Sequence, residues 1–106
     1  MNEKIKILFQ DGVAKNLQGL YKEAIKCYLE ILEIEANHIA TMCQISYSLC
    51  SIGKRVEALK YAEKVNDLDP DWYTLMSSSA IKKSMGNLIG AEEDRNKAWD
   101  MGKDFC

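Results

Sequence analysis

The sequence predicts an all-α solenoid of three stacked helical hairpins. Three observations carry that prediction. Glycine and alanine markers recur at a fixed long period, and apolar residues inside each segment follow helical spacing. The chain also has one proline and no low-complexity run. Gly19, Gly53 and Gly86 are spaced by 34 residues (19 to 53) and 33 residues (53 to 86). Ala24, Ala58 and Ala91 repeat the same two steps, 34 (24 to 58) and 33 (58 to 91). Self-similarity at this period marks units that bury their apolar faces only by stacking, and about three such units suffice for stability.

Six helices are expected, at about 2–17, 21–35, 38–51, 55–68, 71–85 and 88–102. The first ends at Gly19, because glycine adopts the left-handed conformation that closes a helix. The second places Tyr21, Ile25, Tyr28, Leu29, Ile31 and Leu32 on one wide apolar face, with Lys22, Glu23, Lys26, Glu30 and Glu33 opposite. The third is the run before Gly53. The fourth repeats the apolar face as Val56, Leu59, Ala62, Val65 and Leu68, and Pro70 stops it. The fifth ends at Gly86. The sixth carries the polar run Glu92-Glu93-Asp94-Arg95-Asn96-Lys97 and leaves Leu88, Ala91, Ala98 and Met101 to pack inward. That polar face suits a terminal unit that caps the stack. Seven residues before each marker glycine stands another small residue, Gly12, Ser46 or Ser79. These are expected to face Ala24, Ala58 and Ala91 where the two helices of a hairpin cross.

The pattern resembles the tetratricopeptide repeat (TPR). With the copies numbered from Ile5, Ile39 and Trp72, repeat position 8 is Gly12, Ser46 or Ser79, and position 20 is Ala24, Ala58 or Ala91. Position 24, aromatic in the family, is Tyr28, Ala62 or Arg95, and only the second copy keeps the proline, Pro70. The resemblance covers nearly the whole chain. It implies a right-handed superhelix in one domain, residues 1–106, with repeats at about 5–38, 39–71 and 72–105.

Composition removes several function classes. Fourteen basic and sixteen acidic residues give a net charge of −2, with no basic face for phosphates, so no nucleic-acid partner is expected. The N-terminal run is too charged for a signal peptide and no segment reaches membrane-spanning length, so the reading is a cytoplasmic protein without a membrane partner. Cys27, Cys43, Cys50 and Cys106 have no Cys-x-x-Cys spacing. Cys43 and Cys50 lie two turns apart on one helix, about 10 Å of rise, too far for one metal ion or a disulfide. His38 is the single histidine, so nucleophilic catalysis lacks an evident base. No enzyme activity, metal or cofactor is expected.

The TPR resemblance places the first helix of each repeat along a concave groove. The residues it assigns there include Phe9, Val13 and Asn16, then Cys43, Gln44, Tyr47 and Cys50, then Ser77 and Lys83; Leu17 and Tyr73 fall at equivalent places. This lining is apolar and aromatic with amides and hydroxyls, which suits an extended peptide or a partner helix. The carboxylate-binding subset of the family needs cations where this chain has Phe9, Tyr73 and Ser77 and asparagines where it has Val13 and Gln44; only Gln44 comes close, so the resemblance argues against that ligand. Two readings stay open. One is an adaptor that binds a protein or peptide partner in the groove. The other is a structural or oligomerising module, part of a larger protein or a weak homodimer, that self-associates through exposed helix faces.

Overall fold

The computed structural model describes residues 2–103 of the 106-residue chain. It contains α1 (Glu3–Leu17), α2 (Tyr21–Ile34), α3 (Ile39–Ser51), α4 (Arg55–Leu68), α5 (Trp72–Ser84) and α6 (Leu88–Lys103), and no strand among the described residues. Each helix packs on its neighbours in sequence, and α1 also meets α3, which is the contact pattern of a solenoid. Every boundary falls within a residue of the sequence expectation.

The helix ends explain the period. Gly19, Gly53 and Gly86 have φ of 78°, 81° and 85°, the left-handed region where a side chain is strained. Behind each runs the same pair of closing bonds. Leu20 N–H donates to the Lys15 carbonyl and Gly19 N–H to that of Asn16, at 2.8 and 3.0 Å. Lys54 and Gly53 repeat this on Leu49 and Cys50, and Asn87 and Gly86 on Lys82 and Lys83. These are three Schellman closures in register. Helix starts are more varied. Asn2 caps α1 through Lys4 N–H, while Asp71 and Thr74 form a reciprocal capping box on α5 just after Pro70.

The hairpin crossings use the small residues in two ways. The Ser46 hydroxyl donates to the Ala58 carbonyl at 2.9 Å, and Ser79 donates to that of Ala91 at 2.6 Å. Gly12 instead faces a ring: a Cβ there would lie 2.5 Å from Tyr28 Cε1. The rule is local. Where position 24 holds a ring, position 8 has no side chain; where position 24 is Ala62 or Arg95, position 8 is serine.

The core runs unbroken from Ile5 through Tyr28, Ile31, Ile45, Leu49 and Ala62 to Ile81. Three expectations are corrected. Leu29, Val56 and Leu68 are exposed, since each lies at the edge of its apolar stripe. Leu88 is 63% exposed and does not pack inward. Asp94 is buried despite its polar neighbours, because it accepts from Lys82 Nζ at 2.8 Å and from the Ser78 hydroxyl at 2.7 Å. Cys106 lies outside the described residues. No helix among the described residues is long and apolar enough to cross a membrane.

Candidate functional site

One face of the stack is formed by α1, α3 and α5, and two adjoining clefts open along it. The first, about 220 Å³, lies between α3 and α5. Cys43, Tyr47 and Cys50 form one wall, spaced four and three residues apart and therefore in line on α3. Tyr73, Ser77 and Ala80 form the other wall with the same spacing on α5, and Ala62, Val65 and Ile81 form the floor. The second cleft, about 330 Å³, lies between α1 and α3 and is lined by Val13, Asn16, Leu17, Cys43, Gln44, Tyr47 and Tyr73. Cys43, Tyr47 and Tyr73 border both clefts, so the two join into one groove.

The chemistry of the lining is mainly apolar. Burial pushes the Cys43 thiol up from its ordinary pKa, and the nearby Asp71 charge pushes it further. Burial likewise raises Cys50, against an opposing effect of Arg55. Both thiols are neutral at physiological pH and act as small soft apolar groups. Tyr47 and Tyr73 are 55% and 65% exposed, which makes them large flat surfaces offered to solvent. The Tyr47 ring is braced edge-on by Tyr21 at 6.3 Å between centroids.

The polar element of the groove is a lock at the base of the second cleft. Asn16 is buried. Its amide nitrogen donates to the Tyr28 hydroxyl at 3.2 Å and to Gln44 Oε1 at 3.3 Å, and its Oδ1 accepts from the Ser48 hydroxyl at 2.8 Å. Three helices are tied at one amide, which fixes Gln44 with its NH₂ group as the remaining donor. Burial, with a smaller contribution from Cys27, pushes the Tyr28 phenol up to about 12, against the opposing Asn16 bond.

The structure thus brings together Val13, Asn16, Cys43, Gln44, Tyr47, Cys50 and Ser77. It sets two of the sequence candidates elsewhere. Phe9 packs on Tyr28 and His38, with centroids at 5.9 and 6.2 Å, and borders neither cleft. Lys83 lies in a separate cleft between α5 and α6 with Met76, Leu88, Glu92 and Arg95. The floor residues Ala62, Val65 and Ile81 were not foreseen. Their signal was present at Ala62, a methyl group where the first copy has the Tyr28 ring. Among the described residues, no group of three or more His, Cys, Asp or Glu side chains converges where a metal ion could be held.

Comparison with known proteins gives a fold relationship. No protein-family model matches the chain, and no curated protein sequence matches it. Solved structures do. PcrH, crystallised with the chaperone binding region of PopB, superposes with a TM-score of 0.90 at 16% identity, over 98% of this chain and 86% of that one. The Yersinia enterocolitica type III secretion chaperone SycD, in complex with a peptide of the translocator YopD, gives 0.89 at 13% identity over 95% and 78%. MamA gives 0.90 at 19% identity over 97% of this chain and 57% of its own length, so the present chain spans little more than half of MamA. With its glycine closures, its 34- and 33-residue steps and these superpositions, the chain has the tetratricopeptide-repeat fold, three repeats in six helices.

Proposed function

We propose that this protein is a non-enzymatic interaction module that holds a segment of a partner protein in the groove of α1, α3 and α5. The observation that carries this reading is the joined pair of clefts, walled by exposed Tyr47 and Tyr73 and floored by apolar side chains. Such a surface takes apolar anchor side chains in sequence, while the tyrosine hydroxyls and the Gln44 amide bond the backbone between them. Neighbours of the same fold, PcrH and SycD, were crystallised with segments of PopB, PopD and YopD, which supports a segment of protein as the class of ligand.

The experiment is selection of binding peptides from a random display library on the 106-residue chain. Selected peptides should carry apolar anchors and bind Tyr47→Ala at least about tenfold more weakly, because interface energy concentrates in central aromatic residues. Glu93→Ala, on the outer face of α6, should bind them as the parent does. Peptides that bind Tyr47→Ala and the parent equally would move the site off this groove.

A further inference from the structure

The solenoid covers one stripe of each second helix with the next repeat, and its own symmetry identifies that stripe on α6. On α2 the stripe is Tyr21, Ile25, Tyr28 and Leu32, which α3 covers: Tyr21 meets the Tyr47 ring, and the Tyr28 hydroxyl joins the Asn16–Ser48 network. On α4 it is Arg55, Leu59, Ala62 and Asn66, and Asn66 Nδ2 reaches the Ser78 hydroxyl of α5 at 3.0 Å. The equivalent residues of α6 are Leu88, Glu92, Arg95 and Trp99. Here the stripe is open. Leu88 is 63% and Trp99 68% exposed, and Glu92 and Arg95 pair across 3.9 Å in solvent.

The stripe is also a palindrome. Its spacings are four, three and four residues, and its order is apolar, acidic, basic, apolar. Laid antiparallel on a second copy, each residue meets the one whose number completes 187: Leu88 meets Trp99 (88 + 99), and Glu92 meets Arg95 (92 + 95). Alternating steps of three and four form the seam of a coiled coil, and an antiparallel pair brings opposite ends of such a seam together. Each cation then faces an anion, and each indole covers a leucine at the mouth of the α5–α6 cleft beside Met76. Head-to-tail stacking is the competing arrangement, and the other end of the solenoid opposes it. Following the Asn66–Ser78 pairing, it would set Trp99 on Asp11, an exposed carboxylate already paired with Lys15 at 2.8 Å.

We propose that α6 is a self-association surface, pairing antiparallel with a second copy of this chain about a twofold axis between Glu92 and Arg95. The interface is isologous and closes at two copies. It leaves the groove of α1, α3 and α5 open, so it does not depend on the peptide-binding reading. The seam of four side chains per copy is smaller than the ~800 Å² per partner of a standard interface, so the dimer is weak.

Sedimentation velocity tests it on the 106-residue chain, from about 10 μM to about 1 mM, the range of a weak complex. The parent should pass from monomer to dimer with rising concentration and stop there. Arg95→Glu sets like charges opposite each other and should raise the dissociation constant at least about tenfold. The double variant Glu92→Arg/Arg95→Glu swaps the charges, keeps the complementarity and should restore the dimer. Both substituted positions lie in solvent, and circular dichroism of each variant checks that the helices persist. A parent that stays monomeric over the whole range would overturn the proposal and leave the stripe to a helix of different origin. So would growth beyond the dimer, or a dimer indifferent to Arg95→Glu.

Discussion

The junction between the first and second repeats and the junction between the second and third share a frame and are filled differently. At the first, the Phe9 and Tyr28 rings pack together and the Asn16 amide ties α1, α2 and α3. At the second, the same two positions hold Cys43 and Ala62, a thiol and a methyl group, and a cleft of about 220 Å³ opens above them. The polar network has also moved. It lies away from the groove, where Lys82 bridges Glu63 at 2.9 Å and Asp94 at 2.8 Å, and Ser78 links Asp94 to Asn66. One junction is spent on stability, and the other keeps an apolar cavity facing solvent. The difference comes down to two aromatic rings, which makes it accessible to mutation.

The largest expected effect is at the filled junction. Tyr28→Ala removes a fully buried ring and leaves the Asn16 amide one acceptor short. Denaturant unfolding should show a loss of about 3–5 kcal/mol, the range for deleting a buried aromatic. At the open junction the reverse change should also destabilise. Ala62→Phe drives a ring toward Ser46, where the first repeat has Gly12, and should cost about 1–3 kcal/mol through overpacking. Adding Ser46→Gly should recover most of that loss. Additivity of the two changes would mean the junctions do not share a frame.

The network at the second junction predicts a loss of about 1–3 kcal/mol for Lys82→Met, which leaves the buried Asp94 carboxylate without its cation. Asp94→Asn should cost less, since its amide oxygen still accepts from Ser78.

The pH dependence has a fixed sign. Burial opposes the Lys82 charge, but its bonds to Asp94 and Glu63 prevail and raise its pKa. The Tyr28 phenol is also raised, to about 12. In both, the folded state holds its proton more tightly than the unfolded chain. Their contribution is therefore complete below the unfolded pKa values, 10.0 for tyrosine and 10.5 for lysine, and is lost as pH rises above them. Unfolding free energy measured from pH 9 to 12 should fall for the parent, and less steeply for Tyr28→Phe. The smallest effect is Tyr47→Ala, which removes an exposed side chain and should change stability by about 0.5 kcal/mol or less.

Much of this architecture was legible in the sequence because it depends on local rules. A glycine with positive φ after a helical run, as at Gly53, is visible in one dimension. So is a row such as Cys43, Tyr47 and Cys50, whose spacing alone aligns the three side chains. The rest depends on partners far along the chain. Asp94 reads as one more solvated acid until Ser78 and Lys82 are brought against it from α5. Phe9 reads as a groove residue until Tyr28 and His38 are seen to hold its ring. The sixth helix reads as a polar cap because the run 92–97 dominates it, although Glu92 and Arg95 share one line with the exposed Leu88 and Trp99.

The most direct test of the central claim is to graft the packing of the filled junction onto the open one. A display-selected peptide is titrated against the parent and against Ser46→Gly/Ala62→Phe, with unfolding free energy measured in parallel. If the open cleft at the second junction is the binding site, the double variant should stay within about 1 kcal/mol of the parent in stability and bind the peptide at least about tenfold more weakly. Unchanged affinity in the stable double variant would contradict the claim that Ala62 keeps a binding cleft open.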